Sequence, residues 1–189
     1  MIREQSLVLY REKPAIVQNV DDKFSILVGN IDSKSGKIIG DSLKVREKDI
    51  ELLHPGPIKD FLTLDMGPTA FEADFTHSDS LAEAWEVLQG EKTNLQELAE
   101  LIYGEFTPAT AWNCQRLIAD GLWFKKIDVR LADGIQPSSR EEFANIRERR
   151  KTKENEESER TAVFERVRAS LRVRASSRVR ASSRVRASS

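Results

Sequence analysis

A lone cysteine, two histidines and three pairs of adjacent acids are the residues of this chain with bond-making chemistry. Cys114 stands in an apolar helical pattern, Ala111-Trp112-Asn113-Cys114 followed by Leu117-Ile118. A free cysteine in such a pattern behaves as a small buried hydrophobe. A catalytic thiol needs a basic neighbour to lower its pKa, but His54 and His77 lie in other segments. One cysteine also excludes a disulfide framework and a thiolate metal cluster. The acid pairs Asp21-Asp22, Glu141-Glu142 and Glu156-Glu157 fall in turns or on charged helical surface. None sits among apolar positions that would fix a magnesium ligand set. The residues therefore assign no catalytic group, no metal site and no cofactor.

Binding chemistry is better represented. Trp123-Phe124-Lys125-Lys126 sets two cations beside two aromatics, the combination that tracks a phosphate backbone and stacks bases. Its plainer reading is a wing with aromatics packed inward and lysines solvated. Arg116 and Arg130 from the same region, with Lys13, Lys44, Arg46 and Lys48 from the N-terminal segment, complete the body's candidate RNA contacts, although even mixing with acids is what an ordinary solvated surface also shows. Tyr10 and Phe24 read as core residues rather than stacking platforms. Further candidates lie in a C-terminal hexad repeat. It opens with Arg166-Val167-Arg168-Ala169-Ser170-Leu171, continues through Arg172 and Arg174, and repeats Arg-Val-Arg-Ala-Ser-Ser three times to Ser189.

Charge restrains these readings. The net charge is −1, yet residues 161–189 hold eight arginines against Glu165 alone, leaving 22 basic and 30 acidic residues in positions 1–160. An acidic body is poor material for phosphate affinity, which rests on Lys and Arg releasing counterions. The start, Met1-Ile2-Arg3-Glu4-Gln5-Ser6, has no basic region followed by an apolar run. No apolar stretch approaches the roughly 20 residues that span a bilayer. A cytoplasmic protein without a membrane partner is expected.

The elements that would position these residues are an α+β set. Ser6–Tyr10, Ala15–Val20, Phe24–Val28, Lys37–Gly40 and Leu43–Arg46 are short β-prone runs divided by Asp, Gly and Ser turns. That spacing predicts a five-stranded, SH3-like β-barrel over 1–57, closed by His54-Pro55-Gly56-Pro57. Residues 58–77 read as a linker. Over 78–136 the spacing becomes helical. Leu81, Ala84, Trp85 and Leu88 mark one helix, with Ser80 and Glu83 as its capping box. Leu95, Leu98, Ala99 and Ile102 mark a second, capped by Asn94 and ended by Gly104. Thr107-Pro108 opens a third that carries Ala111, Cys114, Leu117 and Ile118 inward, exposes Thr110, Asn113, Arg116 and Asp120, and stops at Gly121. Strands at 122–126 and 128–131 would complete a winged helix-turn-helix.

A charged helix is expected from Pro137 to Arg160, capped by Ser138 or Ser139, with Phe143 and Ile146 able to pack. Residues 161–189 have one small apolar side chain per hexad. Each six-residue step turns a helix by about 240°, so no face gathers the valines. A disordered tail is expected, and a polybasic RNA-binding arm is its functional alternative. So exact a repeat also fits translated repetitive DNA in a shifted frame.

The run Leu43-Lys44-Val45-Arg46-Glu47-Lys48-Asp49-Ile50-Glu51-Leu52-Leu53-His54-Pro55-Gly56-Pro57 resembles the start of ribonuclease II-family exoribonucleases of the cyanobacterial and chloroplast type. So do Ala84-Trp85-Glu86-Val87-Leu88, Leu98–Gly104 and Phe106–Ala111, in order over roughly residues 5–150. The resemblance implies magnesium-dependent 3′-to-5′ degradation of single-stranded RNA, performed by an aspartate-bearing domain downstream of these modules. No catalytic residue carries over to this chain, so the resemblance implies a truncated product that recognises or gates RNA, with weak single-stranded RNA affinity. The alternatives are a winged-helix DNA-binding regulator and a module that binds other proteins. Against the regulator, residues 78–133 hold five basic and ten acidic residues.

Overall fold

The computed structural model describes residues 1–31, 38–64, 78–127 and 134–186. Residues 1–143 form one compact unit and residues 144–189 a second. The fold is α+β, an antiparallel sheet followed by helices.

Five strands build the sheet: β1 (Leu7–Tyr10), β2 (Lys13–Val20), β3 (Phe24–Ile31), β4 (Ile38–Val45) and β5 (Glu51–His54). Their order is β4-β3-β2-β1-β5. A 3-10 turn at Glu47–Asp49 leads from β4 into β5. Among the described residues β4 and β5 are not hydrogen-bonded to each other, so the sheet is open at that seam. The two C-terminal runs expected to be separate strands are one strand, β4. Gly40 permits this, because a Cβ there would lie 2.6 Å from Leu27 Cδ1.

Register divides the apolar side chains between two faces. Val8 pairs with Ala15, and Val17 with Ile26; all four lie in one buried cluster with Val28, Val45 and Ile50. Leu7 pairs with Ile16, and both lie in a second cluster together with the helices. The sheet is thus apolar on both faces, as the continuous buried run Pro14–Val17 requires.

That second cluster erases the expected linker over part of its length. Ile58, Phe61 and Leu64 are buried among residues of the sheet and the helices; positions 65–77 lie outside the described residues. The chain leaves β5 through Gly56 at φ 88°, where a Cβ would sit 2.1 Å from the Gln5 carbonyl oxygen. Only glycine fits there.

The helices are α1 (Ser78–Val87), α2 (Leu95–Tyr103) and α3 (Pro108–Asp120). Helix α1 is already formed at Ser78, which places Ser80 inside it rather than at its cap. The caps of α2 and α3 are local and fall where the residues predict. Asn94 accepts from the Glu97 amide and Thr107 from the Thr110 amide, while Gly104 and Gly121 take left-handed conformations at the ends. The expected inward faces of both helices are buried.

A hairpin of β6 (Phe124–Lys126) and β7 (Ile135–Pro137) follows. Its second strand falls later than the expected 128–131; positions 128–133 lie outside the described residues. Pro137 therefore ends a strand instead of starting a helix. Helix α4 (Arg140–Arg186) begins three residues later, with Ser139 as its cap: Ser139 Oγ accepts from the Glu142 amide, and Glu142 accepts from the Ser139 amide. Trp85, Trp123 and Phe143 pack together, with centroids 4.6–5.7 Å apart. Trp85 donates to the Ser138 carbonyl at 2.8 Å.

The second unit continues α4. Past Thr161, where a disordered tail is expected, the helical backbone continues to Arg186. Helical hydrogen bonds are satisfied locally, and the span from Arg140 contains neither glycine nor proline. Arginine, alanine and leucine have high helix propensity, so this segment needs no core to be helical. Side chains 151–169 are exposed.

Candidate nucleic-acid interface

A groove of about 480 Å³ opens beside the sheet's seam, lined by Tyr10, Arg11, Lys23, Lys44, Val45, Arg46 and Asp49. Four of the seven residues are cationic and one is acidic. They come from the end of β1, the approach to β3, the end of β4 and the 3-10 turn. Pairing of β1 with β5, Leu9 opposite Glu51, brings Tyr10 toward the turn. Pairing of β3 with β4, Phe24 opposite Val45, brings Lys23 to the same end.

Two local features shape the groove. Tyr10 and Lys13 close a two-residue hairpin whose tip, Arg11 and Glu12, has φ of 47° and 65°. Hairpins with both residues left-handed match the sheet's twist, but ordinarily use Asn and Gly. The turn holds the Arg11 guanidinium 5.3 Å from the Tyr10 ring centroid, a cation–π contact. At the other wall Asp49 Oδ2 accepts from Arg46 Nε at 3.3 Å and from the Arg46 amide at 3.4 Å. Desolvation raises the Asp49 pKa, but Arg46's hydrogen bonds, with the charges of Arg46 and Lys48, outweigh it and leave the carboxyl below its ordinary value. Among the described residues, Arg11, Lys23 and Lys44 have no carboxylate partner.

Of the cations named from sequence, Lys44 and Arg46 line this groove, and so does Tyr10, which packs partly against the sheet core as expected. Lys13 donates to Asn30 Oδ1 on the neighbouring strand. Lys125 Nζ lies 2.7 Å from both Glu142 carboxylate oxygens, and this hydrogen bond first of all lowers the Glu142 pKa. Lys126 Nζ lies 2.7 Å from Glu51 Oε2 and ties β6 to β5. Phe124 is fully buried beneath them. Lys125 and Lys126 of the hairpin are thus paired with carboxylates. Arg116 is 7% exposed and Thr110 equally so, against the expectation that both face outward. Arg130 lies outside the described residues. In the tail Arg166 is exposed, Arg168 pairs with Glu165 at 3.7 Å, and Arg172 and Arg174 continue the helical backbone.

The burial of α3 bears on the regulator alternative. Thr110, Ala111, Trp112, Cys114, Gln115, Arg116, Leu117 and Ile118 are all buried, because α3 packs against α2, β5 and β6. A recognition helix must offer a face to the major groove; this one is a central core helix.

The possible reactive groups are structural here. Burial raises the Cys114 thiol pKa well above its ordinary value, which makes it inert. His54 Nδ1 accepts from the Gly56 amide at 2.9 Å, and Nε2 faces the Phe106 carbonyl at 3.3 Å. This fits a neutral ring protonated on Nε2. Among the described residues no group of three His, Cys, Asp or Glu is placed to hold a metal, and no helix is long and apolar enough to cross a membrane. Comparison with family models, curated proteins and solved structures gives no match to this chain.

Proposed function

We propose that this chain is a non-catalytic module that binds single-stranded RNA, of the kind that guides RNA to the nuclease domain of a ribonuclease II-type exoribonuclease. In this reading the sheet is an SH3-like barrel and the helices with their hairpin are a winged helix. The strand order β4-β3-β2-β1-β5 with a 3-10 turn before the last strand supports the first assignment. The second is supported by Thr93, between α1 and α2, which exchanges two backbone hydrogen bonds with Ile135 of the hairpin.

The observation that carries the function is the groove. Its cations and its half-buried Tyr10, with Arg11 over the ring, are the pair of features a flexible single strand needs, phosphate neutralisation and a stacking surface. Duplex DNA needs instead a helix or ribbon that enters a groove, and the burial of α3 counts against that reading.

The test is a filter-binding titration of single-stranded RNA at several salt concentrations. The intact chain is expected to bind weakly, with affinity falling steeply as salt rises. Changing Lys23 and Lys44 together to alanine should flatten the slope of log affinity against log salt by about 0.7 per lost phosphate contact. Changing Lys125 and Lys126 should leave it nearly unaltered, and a chain ending at Arg160 should retain the groove's share of the binding. With magnesium present, no mononucleotides should be released. Binding confined to duplex DNA of one sequence would replace this reading with the regulator.

A further inference from the structure

The groove has one feature that a general phosphate-binding surface does not need, a carboxylate. Asp49 is the sole acid among the seven lining residues, and it opposes an anion wherever that anion lies close to it. Its side chain is 38% exposed, and both its contacts to Arg46 fall on Oδ2 at 3.3–3.4 Å. A carboxylate has about four lone-pair positions on two oxygens, so Asp49 retains accepting capacity toward the groove.

The lining residues divide by chemistry. Lys23 and Lys44 offer ammonium groups to a phosphate. Tyr10 packs partly against the sheet core and carries the Arg11 guanidinium over its ring at 5.3 Å, so the two side chains together offer a stack on which a planar base can lie. Asp49 offers an acceptor to a hydroxyl donor. A volume of about 480 Å³ falls within the range of small-molecule clefts, about 300–1,000 Å³.

We infer that the groove is a one-nucleotide subsite that prefers ribose to deoxyribose. The phosphate lies on Lys23 and Lys44, the base on the Arg11–Tyr10 stack, and the ribose 2′-hydroxyl donates to Asp49. This rests on the RNA-binding reading and adds the source of discrimination, since the 2′-hydroxyl is the group by which a protein tells RNA from DNA.

The experiment follows backbone amide shifts of the full chain during titration with adenosine 5′-monophosphate, 2′-deoxyadenosine 5′-monophosphate and inorganic phosphate. The ribonucleotide should bind about fivefold more tightly than the deoxynucleotide, with shifts centred on residues 10–11, 23 and 44–49. Asp49→Ala should abolish that preference and strengthen phosphate binding, because a repelling charge has gone. Tyr10→Ala should weaken both nucleotides about tenfold and leave phosphate unchanged; Tyr10→Phe, which keeps the ring, should restore them. Equal affinity for the two nucleotides would overturn the ribose assignment. Phosphate binding as tight as nucleotide binding, indifferent to Tyr10→Ala, would reduce the groove to an anion site and overturn the inference. Filter binding of single-stranded RNA separates the levels. RNA binding that survives Tyr10→Ala, Lys44→Ala and Asp49→Ala unchanged would sink the subsite while leaving an RNA-binding protein. Loss of RNA binding by the unaltered chain would remove both.

Discussion

Lys125 and Lys126 are adjacent in sequence, follow two aromatics, and are both held by carboxylates. Arg11, Lys23 and Lys44 are scattered over 34 positions of sequence and meet beside an open seam. The comparison teaches that adjacency in sequence is weak evidence for a binding site. Charge repulsion makes neighbouring lysines good places to put acids, and here Glu142 and Glu51 are positioned to receive them. The β6–β7 hairpin uses its lysines for contacts within the fold, whereas the groove presents charge to solvent.

The largest expected effect tests the hairpin's side of this contrast. Phe124 has no exposed surface, so Phe124→Ala should destabilise the folded state by about 3–5 kcal/mol, measured by unfolding in denaturant. Lys44→Ala should change stability by no more than about 0.5 kcal/mol while weakening RNA binding. If the two substitutions had similar effects on stability, the division between them would fail.

The hairpin tip sharpens the contrast next. Asn and Gly suit two consecutive left-handed residues, so Arg11→Asn with Glu12→Gly should raise stability by about 1–2 kcal/mol. The same double change should lower RNA affinity, since it removes a groove cation. A stabilised protein with unaltered affinity would show that Arg11 takes no part in binding.

Smaller still is Lys126→Ala. Its pair with Glu51 is 31% and 20% exposed, and such pairs contribute about 1 kcal/mol or less. Thermal unfolding should register that loss, and RNA affinity should stay constant. A fall in affinity equal to that of Lys44→Ala would return the β6–β7 hairpin to the binding surface.

The last effect is a slope. His54 stands where β5 meets the α2–α3 connection, 8% exposed and tilted against Phe106 at 4.6 Å. Desolvation lowers its pKa, the Phe106 carbonyl opposes that shift, and Arg3 reinforces it. The folded state thus binds fewer protons at this site than the unfolded chain. The stabilisation is fully present above the ordinary histidine value of about 6.5 and is lost as pH falls from there through the folded value. Stability measured from pH 7.5 down to 5 should decline, and His54→Gln should reduce the decline. RNA affinity of the wild-type chain, measured where it remains folded, should owe nothing to this residue.

Legibility in the sequence follows the range of the forces involved. Asn94, Gly104, Thr107, Pro108 and Gly121 act within one turn of helix, and the boundaries of α2 and α3 fall where those residues stand. The alternation of Leu7 and Val8 likewise gives each its own face. Arg116 misled because helical periodicity identifies one inward face, and α3 is covered on more sides than one. Ile58, Phe61 and Leu64 looked like linker because three apolar residues show no period. They are buried only because a second surface lies ready for them.

What the sequence by itself determined are the first three strands of the sheet, the caps of two helices, and the division between an acidic body and a basic end. Each follows from interactions between residues a few positions apart, or from composition. Tertiary structure alone decided which cations are neutralised and which are offered. Lys126 meets Glu51 across 75 positions, and Tyr10 reaches Asp49 only because β1 pairs with β5 at the sheet's edge. Charges that far apart in the chain have no preferred separation until the backbone between them is folded. The groove is therefore a property of strand order, written in no segment of the sequence that lines it.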